Sequence, residues 1–209
     1  MALTLYSDFG GYAEYKTFSE DAVMTKIPSN LSFGEAAAIP TSLPTALKML
    51  RKMRVQEGQK ILIYGASGSV GTYAVQLAKY MGAHVTGVCS TSNLDLIEHI
   101  GAEKTINYTK EDLTSLGTTY DVILDAVGKL PSKASKVLLS KHGKSMSVLK
   151  TSGKVTSEDL EYLSGLVENG HIKPVIDRTY DLEKIVEAHR YVQRGHKKGS
   201  VVVNIVKEM

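Results

Sequence analysis

The amino-acid sequence predicts an α/β fold with a doubly wound parallel sheet, and three observations support this prediction. Short apolar runs alternate with helical stripes from residue 61 onward, which is typical of strands joined by crossover helices. The stripes end at glycines such as Gly82, Gly101 and Gly170. The run 61–64 is apolar at every position, as in a strand buried on both faces. With 209 residues, 43% of them hydrophobic, the chain can bury a core of the size that such a domain needs.

The predicted elements follow one another in strict alternation. Strands are expected at 61–64, 84–89, 104–108, 120–124 and 144–149, with helices around 74–81, 94–100 and 132–139 between them. Beyond residue 149 we expect a helix at 160–167, a short extended stretch at 175–176, a helix at 185–192 that Asp181 could cap, and a strand at 201–206. Before the first strand the pattern predicts an extended stretch at Tyr12–Tyr15, a short helix at 35–38 and a helix that starts at Thr45.

Composition and charge exclude several classes of function. The formal net charge is +3, from 25 basic and 22 acidic residues, an excess too small and too dispersed for nucleic-acid binding. No apolar run approaches the ~18 residues of a membrane span. The N-terminus has no charged segment followed by an apolar core, so no signal peptide is predicted. We therefore expect a cytoplasmic protein without nucleic-acid or membrane partners.

Cysteine and histidine content argues against a metal centre. Cys89 is the single cysteine, which excludes an internal disulfide and a cysteine-rich zinc site. It lies in the apolar run 84–89 and is interpreted as an inert core thiol, with a reactive nucleophile as the alternative. The six histidines are scattered, and no pair has metal-ligand spacing with a cysteine or a carboxylate. Asp121 and Asp125 flank a buried strand and are interpreted as positional rather than catalytic.

A glycine motif between the first strand and the first helix predicts a dinucleotide site. Gly65, Gly68 and Gly71 lie three residues apart, directly after the strand that ends at Tyr64 and around the start of a helix near Ser69. Glycines allow a tight turn and close approach of the backbone to a pyrophosphate, whose charge the helix N-terminus stabilises. The alternative is a tight turn that binds no ligand.

The end of the second strand indicates which dinucleotide is bound. An NAD site usually has an acidic residue there, which binds the ribose 2′-hydroxyl. This sequence has Ser90, Thr91, Ser92 and Asn93 instead, so a 2′-phosphate meets no carboxylate and three hydroxyls could donate to it. The hydroxyls could also cap the next helix, since Ser92 precedes Asp95 by three residues, and both roles can coexist. We therefore expect NADP(H) to be preferred over NAD(H).

Five segments occur in an order that carries a family resemblance: 9–15, 35–40, 65–71, 120–128 and 195–199. Their sequences are FGGYAEY, EAAAIP, GASGSVG, YDVILDAVG and GHKKG. Together they resemble the medium-chain dehydrogenase/reductase superfamily, in its zinc-independent quinone oxidoreductase-like branch. The resemblance spans nearly the whole chain. It implies a Rossmann NAD(P)-binding domain with a remnant of a GroES-like β domain.

The resemblance also implies a division of the chain. Residues 1–42 would be the remnant of the GroES-like catalytic domain, 43–173 the Rossmann domain, and 174–209 a return to the catalytic domain. Family members begin with a complete GroES-like half, whereas this chain opens at the closing segment of that half, 11–15. The absent part would carry most of the substrate pocket and any zinc ligands. We therefore expect no zinc and little turnover from these 209 residues alone.

Site residues follow from the resemblance. Residues 67–70 would hold the pyrophosphate, 90–92 would face the adenosine ribose and its phosphate, and Tyr108 would lie near the 2′-phosphate. Residues 126–127 would border the nicotinamide ribose, and 147–148 would approach the nicotinamide amide. The cofactor-binding residues are thus Thr45, close to the reacting ring, and Ser67, Gly68, Ser69, Val70, Ser90, Thr91, Ser92, Tyr108, Ala126, Val127, Ser147 and Val148. No catalytic residue is assigned.

The resemblance implies an NADPH-dependent oxidoreductase that transfers hydride to a small molecule, namely a quinone, an enone or a carbonyl compound. The alternatives are a non-catalytic NAD(P)-binding chain and a sensor of nicotinamide redox state. A homo-oligomer is possible in each case.

Overall fold

The structure is a computed structural model that describes residues 1–4, 9–151 and 153–206. Within these residues there are seven strands: β1 (Lys60–Tyr64), β2 (His84–Cys89), β3 (Lys104–Asn107), β4 (Tyr120–Asp125), β5 (Leu139–Ser147), β6 (Ile176–Asp181) and β7 (Ser200–Asn204). The α-helices of the same residues are α1 (Phe33–Ala37), α2 (Ile39–Met53), α3 (Ser69–Tyr80), α4 (Leu94–His99), α5 (Ser132–Leu138), α6 (Ser157–Glu168) and α7 (Ile185–Gln193).

The chain forms two compact units, which are described separately. One unit is Thr45–Gly153, and the other combines Met1–Pro44 with Lys154–Met209. The expected domain boundary at residue 173 therefore does not coincide with the edge of a compact unit, because 154–173 groups with the two ends of the chain. A compact unit is not the same thing as a domain by descent, so the assignment of domains stays a prediction.

Unit 45–153 contains the predicted parallel sheet. Its five strands lie in the order β3-β2-β1-β4-β5 and all neighbouring pairs are parallel. The strand order reverses between β1 and β4, which places a topological switch point at the carboxyl end of β1. This confirms the doubly wound α/β fold that the alternating pattern predicts.

Both faces of this sheet are covered. On one face Leu62, Ile123 and Val88 pack together with Leu138 of α5. Their strand neighbours, which point to the opposite face, are equally buried, as at Ile61 and Ile63. Each such side chain contributes about 1.5–3 kcal/mol by leaving water. The continuous apolar run in the sequence therefore records burial on both sides of the strand.

The other unit combines capped helices with buried hydrophobic residues. Ser32 and Glu35 form a reciprocal capping box at α1, and Thr156 and Asp159 form one at α6. Strands β6 and β7 pair in parallel, with α7 between them in the chain. One of its hydrophobic clusters consists of Leu3, Val155 and Leu160, with Val23 packed against it, and other side chains such as Leu163 and Ile172 are also fully buried. No described helix of either unit is long and apolar enough to cross a membrane.

Helix α2 begins earlier than expected. The sequence predicts a start at Thr45, but the helix starts at Ile39 and includes Pro40 and Pro44. Pro40 is tolerated because the first turn of a helix has no intrahelical partner for its N–H. Pro44 costs one internal hydrogen bond, yet the apolar stripe that includes Leu43 and Leu47 is fully buried. Burial of that stripe outweighs the local penalty of the proline.

Three further expectations were wrong. Tyr12–Tyr15 forms bends rather than a strand, after a turn in which Phe9 and Gly10 have φ angles of 57° and 68°. Asp181 makes no side-chain capping bond, because a 3₁₀ turn separates it from α7. Strand β5 occupies 139–147 rather than 144–149, since the chain leaves it at Ser147 for a 3₁₀ turn.

Candidate functional site

The candidate site lies at the carboxyl edge of the five-stranded sheet. Because all five strands are parallel, the loops that follow them emerge at the same edge. The predicted residues 67–70, 90–92, 108, 126–127 and 147–148 all lie on these loops or at their ends. Neighbouring registers place Tyr64 beside Val88 and Asp125, and Asp125 beside Ser147. The fold therefore assembles most of the predicted site from strand ends alone.

The glycine turn after β1 depends on two of its glycines. Gly65 has a φ of +76°, and the N–H groups of Gly65 and Ala66 both donate to the Val88 carbonyl, at 3.1 and 3.0 Å. A Cβ at Gly71 would lie 2.1 Å from the Gly65 carbonyl oxygen. Gly65 and Gly71 are therefore required by the turn itself, whether or not a ligand is present.

Gly68 is different. Its φ of −79° suits any residue, and it is the N-cap of α3. Among the described atoms outside its own chain neighbours, a Cβ there would meet only the Gly65 carbonyl oxygen, at 3.5 Å, which is an ordinary contact. Packing within this chain does not explain a glycine at position 68. A ligand that approaches the backbone closely does explain it, so the turn fits a pyrophosphate.

The start of α3 is suited to an anion. Its N-cap residue, Gly68, makes no side-chain capping bond, and its first turn contains no acidic residue. N–H groups in a first helical turn have no intrahelical partners and carry the positive end of the helix dipole. The predicted pyrophosphate residues, Ser67 to Val70, form the last part of the glycine turn and this first helical turn.

The loop after β2 is tied to the glycine turn by a residue that sequence reasoning missed. The side-chain amide Nδ2 of Asn93 donates to Ser67 Oγ at 3.0 Å and to Ser90 Oγ at 3.2 Å. The alternative that Ser92 caps the next helix is not what the structure has. The N-cap residue of α4 is Asn93, and its side chain makes no capping bond. A buried asparagine directly after a run of hydroxyl residues is the signal that could have identified it.

A second asparagine organises the next loop. Asn107, at the end of β3, donates through Nδ2 to Thr91 Oγ1 at 2.7 Å and accepts from the Thr109 hydroxyl at 2.7 Å. Between Asn107 and Thr109, the exposed Tyr108 ring lies with its centroid 6.3 Å from that of Tyr64. The pKa of the Tyr64 hydroxyl is raised, mainly because the group is partly buried and to a smaller extent by charge interactions with Tyr108 and Asp125. Tyr108 therefore flanks the same strand end as the glycine turn.

The loop after β4 is shaped by Asp125. Its carboxylate accepts backbone N–H bonds from Val127 at 3.1 Å, Gly128 at 2.8 Å and Leu130 at 3.1 Å. The interpretation of Asp125 as positional is supported, since it is only 6% exposed. The Val127 side chain packs over the glycine turn, because a Cβ at Gly65 would lie 2.7 Å from its Cγ1.

The remaining predicted residues are less closely tied to the turn. Ser147 ends β5, and its Oγ accepts from the Leu149 N–H at 3.3 Å, with Val148 in the intervening 3₁₀ turn. Thr45 lies inside α2 rather than at its start, so it does not offer a helix-start N–H. Its place beside the reacting ring therefore loses the geometric support that the sequence interpretation gave it.

Charge at the ribose end is consistent with a phosphate. The loop 90–93 itself contains no carboxylate. The carboxylates of Glu98 and Glu111 accept hydrogen bonds from Thr105 Oγ1 at 2.8 Å and from the Asn107 N–H at 2.7 Å, which fix their positions but leave them charged. The inert-thiol interpretation of Cys89 is supported, since it is 1% exposed and burial raises its pKa to about 11. The described residues contain no cluster of three or more His, Cys, Asp or Glu side chains that could hold a metal ion.

Comparison with known proteins agrees with this geometry. Residues 144–203 match a family model described as zinc-binding dehydrogenase. The chain is 34% identical to an NADPH-dependent alkenal/one oxidoreductase, chloroplastic, of Arabidopsis thaliana, over 93% of this chain and 53% of that protein. It is also 34% identical to a chloroplastic quinone-oxidoreductase, QR1, of Triphysaria versicolor, over 93% of this chain and 68% of that protein. The solved quinone oxidoreductase of Coxiella burnetii superimposes with a TM-score of 0.77 at 31% identity, covering 90% and 65% of the two chains.

The strand order and the glycine turn define a Rossmann-type α/β unit. Together with these similarities, they show that the chain belongs to the medium-chain dehydrogenase/reductase family of oxidoreductases. The chain spans about half the length of several curated relatives that it matches. The name of the matching family model mentions zinc, but the described residues do not present a zinc site.

Proposed function

We propose that this chain binds NADPH at the carboxyl edge of its five-stranded sheet and serves hydride transfer to a quinone, enone or carbonyl compound. The observation that carries the proposal is the contrast within the glycine turn. Gly65 and Gly71 are required by the fold, whereas Gly68 leaves space at the start of α3 and offers no side chain of its own there. A pyrophosphate would use that space and the first-turn N–H groups.

The cofactor would run along the strand ends. The proposed contacts are Ser67, Gly68, Ser69 and Val70 to the pyrophosphate, and Ser90, Thr91, Ser92 and Tyr108 to the adenosine ribose and its 2′-phosphate. Ala126, Val127, Ser147 and Val148 would border the nicotinamide end. The proposal keeps Thr45 near the reacting ring as the resemblance implies, now from within a helix.

Preference for NADPH over NADH is part of the proposal. A carboxylate at the end of β2 would bind the NADH ribose and repel a 2′-phosphate, and this loop contains only hydroxyl and amide side chains. The Arabidopsis relative is named as NADPH-dependent, which supports the same choice. We expect NADPH to bind about tenfold more tightly than NADH, which corresponds to about 1.4 kcal/mol.

The reaction class comes from the relatives. Their printed names specify alkenal/one and quinone oxidoreductases, and bound NADPH supplies the hydride in such reactions. The part proposed for this chain is to bind the cofactor, to fix its orientation through the strand-end loops, and to hold its phosphates. No step is assigned to zinc. The cytoplasmic location stays a prediction, since the relatives compared here are named chloroplastic.

Titration of the purified chain with NADPH and NADH, followed by cofactor fluorescence at a fixed salt concentration, tests the binding proposal. Micromolar NADPH binding with weaker NADH binding supports it, and equal affinity or NADH preference refutes the NADPH part. NADPH oxidation in the presence of a panel of quinones, enones and aldehydes tests the enzymatic part. Binding without turnover on any of these would favour a non-catalytic cofactor-binding chain.

A further inference from the structure

Asn93 links two loops of the proposed cofactor site. Its side chain is buried, with only 6% of the residue exposed. The two hydrogens of its amide go to two different loops, one to Ser67 Oγ in the glycine turn and one to Ser90 Oγ at the end of β2. These are the loops to which the proposed function gives the pyrophosphate and the ribose.

The direction of these bonds constrains the two serines. A hydroxyl has one hydrogen to donate and two lone pairs that accept. Asn93 occupies one lone pair on each serine and cannot take up the hydroxyl hydrogen through the same nitrogen. Among the described residues, neither hydroxyl makes another hydrogen bond. Both hydroxyls thus have a hydrogen to donate, and the described residues provide no acceptor for it.

Phosphate oxygens are acceptors only, so they are the matching ligand groups. We propose that Asn93 is a positioning residue that orients the Ser67 and Ser90 hydroxyls as donors to the two phosphate groups of the adenosine half of NADPH. The pyrophosphate would receive the Ser67 hydrogen, and the 2′-phosphate would receive the Ser90 hydrogen. This inference rests on the proposed function, and it explains how NADPH is selected by a loop that contains no arginine or lysine.

Asn107 provides a comparison, because the hydroxyl to which it donates already has an acceptor for its own hydrogen. It also donates to a hydroxyl of the ribose loop, Thr91 Oγ1. Thr91, however, lies 3.3 Å from the Thr109 hydroxyl, whose own hydrogen goes to Asn107 Oδ1. The Thr91 hydrogen therefore already has an acceptor within the chain. Ser90, not Thr91, is the hydroxyl that is set to donate to the 2′-phosphate.

The test is the variant Asn93→Asp. A carboxylate has nearly the same shape as the amide but only accepts, so both serines would donate to it instead of to the ligand. A hydrogen bond to a charged group typically changes affinity by about tenfold or more. We expect about tenfold weaker NADH binding, through Ser67 alone, and about 100-fold weaker NADPH binding, through both serines. The preference for NADPH should therefore fall about tenfold.

The variant Ser90→Ala separates this mechanism from simple charge repulsion. Ser90→Ala alone should weaken NADPH binding about tenfold more than it weakens NADH binding. If Asn93 acts through Ser90, then Asn93→Asp in the Ser90→Ala background should leave the ratio of NADPH to NADH affinity unchanged. An equal fall of that ratio in both backgrounds would show that the new charge alone repels the phosphate, and would overturn the inference.

Two further outcomes are distinguishable. If Asn93→Asp weakens NADPH and NADH by the same factor, the residue has only a structural role and the inference fails. If the wild-type chain does not bind NADPH, the proposed function fails first. Thermal unfolding of each variant checks that the fold is kept. Asn93→Ala serves if the aspartate variant is unstable, because it removes the orienting amide without adding a charge. For this variant the inference requires the preference for NADPH to fall about threefold. That fall is smaller than the tenfold change expected when a hydrogen bond to a charged group is lost completely.

Discussion

Replacement of Gly68 by valine should separate cofactor binding from folding. The residue has an ordinary φ of −79°, and a Cβ there makes one contact at 3.5 Å with the Gly65 oxygen. The fold should therefore accept the change. The main cost is that valine is a poorer N-cap than glycine, which we put at about 1 kcal/mol or less. For a chain of this size that corresponds to a fall in Tm of about 2–4 °C.

The effect on binding should be far larger. The branched side chain of valine would fill the space next to the first turn of α3, where the pyrophosphate is proposed to approach. Loss of two backbone N–H bonds to a charged group would cost about 3–6 kcal/mol at about 1.5–3 kcal/mol each. We therefore expect NADPH affinity to fall by at least about 100-fold. Isothermal titration calorimetry and thermal unfolding on the same sample measure both effects.

Gly71→Ala is the matched comparison, since it adds a single methyl three residues away. Its Cβ would lie 2.1 Å from the Gly65 oxygen and 2.8 Å from the Ala66 backbone, so the turn itself must move. We expect a loss of about 3 kcal/mol in the free energy of unfolding, or about 6–12 °C in Tm. Unchanged NADPH affinity in Gly68→Val would refute the assignment of the turn to the pyrophosphate.

Three other outcomes are expected. Asp125→Asn should lower the free energy of unfolding by about 1–3 kcal/mol in urea titrations. Its amide NH₂ would face the Leu130 N–H, which now donates to Asp125 Oδ2, so one donor would meet another. Unchanged stability would contradict the positional role. Cys89 has a raised pKa of about 11, so its contribution to stability should be complete below pH 9 and lost as the pH rises from 9 to 11. At pH 8 its thiol should accordingly react with a disulfide reagent about 100-fold more slowly in the native chain than in guanidinium. Metal analysis of the purified chain should find no stoichiometric zinc, and one zinc per chain would refute that expectation.

The sheet could be predicted from the sequence because its signals are local and strong. Strand β1 is apolar at Ile61, Leu62 and Ile63, and each of these side chains is fully buried. The glycines and polar residues that follow each strand fall at the carboxyl edge, where parallel topology brings them together. The order of the strands, β3-β2-β1-β4-β5, does not follow from these local signals and comes from the structure.

The segments that were wrongly predicted are those decided by long-range packing. Pro40 predicts a loop and the helix is expected only from Thr45, yet α2 begins at Ile39 and includes Pro40 and Pro44, because its apolar stripe is buried. The alternation Tyr12–Tyr15 predicts a strand, but the preceding turn redirects the chain and Tyr12 meets the ring of His189 edge-on at 6.2 Å. Both the burial of α2 and the contact of Tyr12 with His189 depend on residues that are distant in the sequence. A local sequence pattern therefore could not have revealed either of them.

Asn93 illustrates a different limit. The sequence identifies the hydroxyls of 90–92 as possible donors, but it does not determine the direction in which their hydrogens point. That direction depends on a side-chain amide 26 residues from Ser67 and 3 from Ser90. Composition of a loop predicts which chemical groups are available. Only the three-dimensional contacts decide whether a hydroxyl donates or accepts.

The glycine motif shows why the ligand-free alternative could not be rejected from the sequence. Glycines at 65, 68 and 71 have the same spacing whether they serve a turn or a ligand. In the structure, Gly65 and Gly71 are needed to close the turn, so their presence says nothing about a cofactor. Of the three, Gly68 has no packing contact that requires a glycine, and it is the N-cap residue of α3. The case for a bound pyrophosphate thus depends on one glycine of the three, which is why its substitution is the most informative experiment.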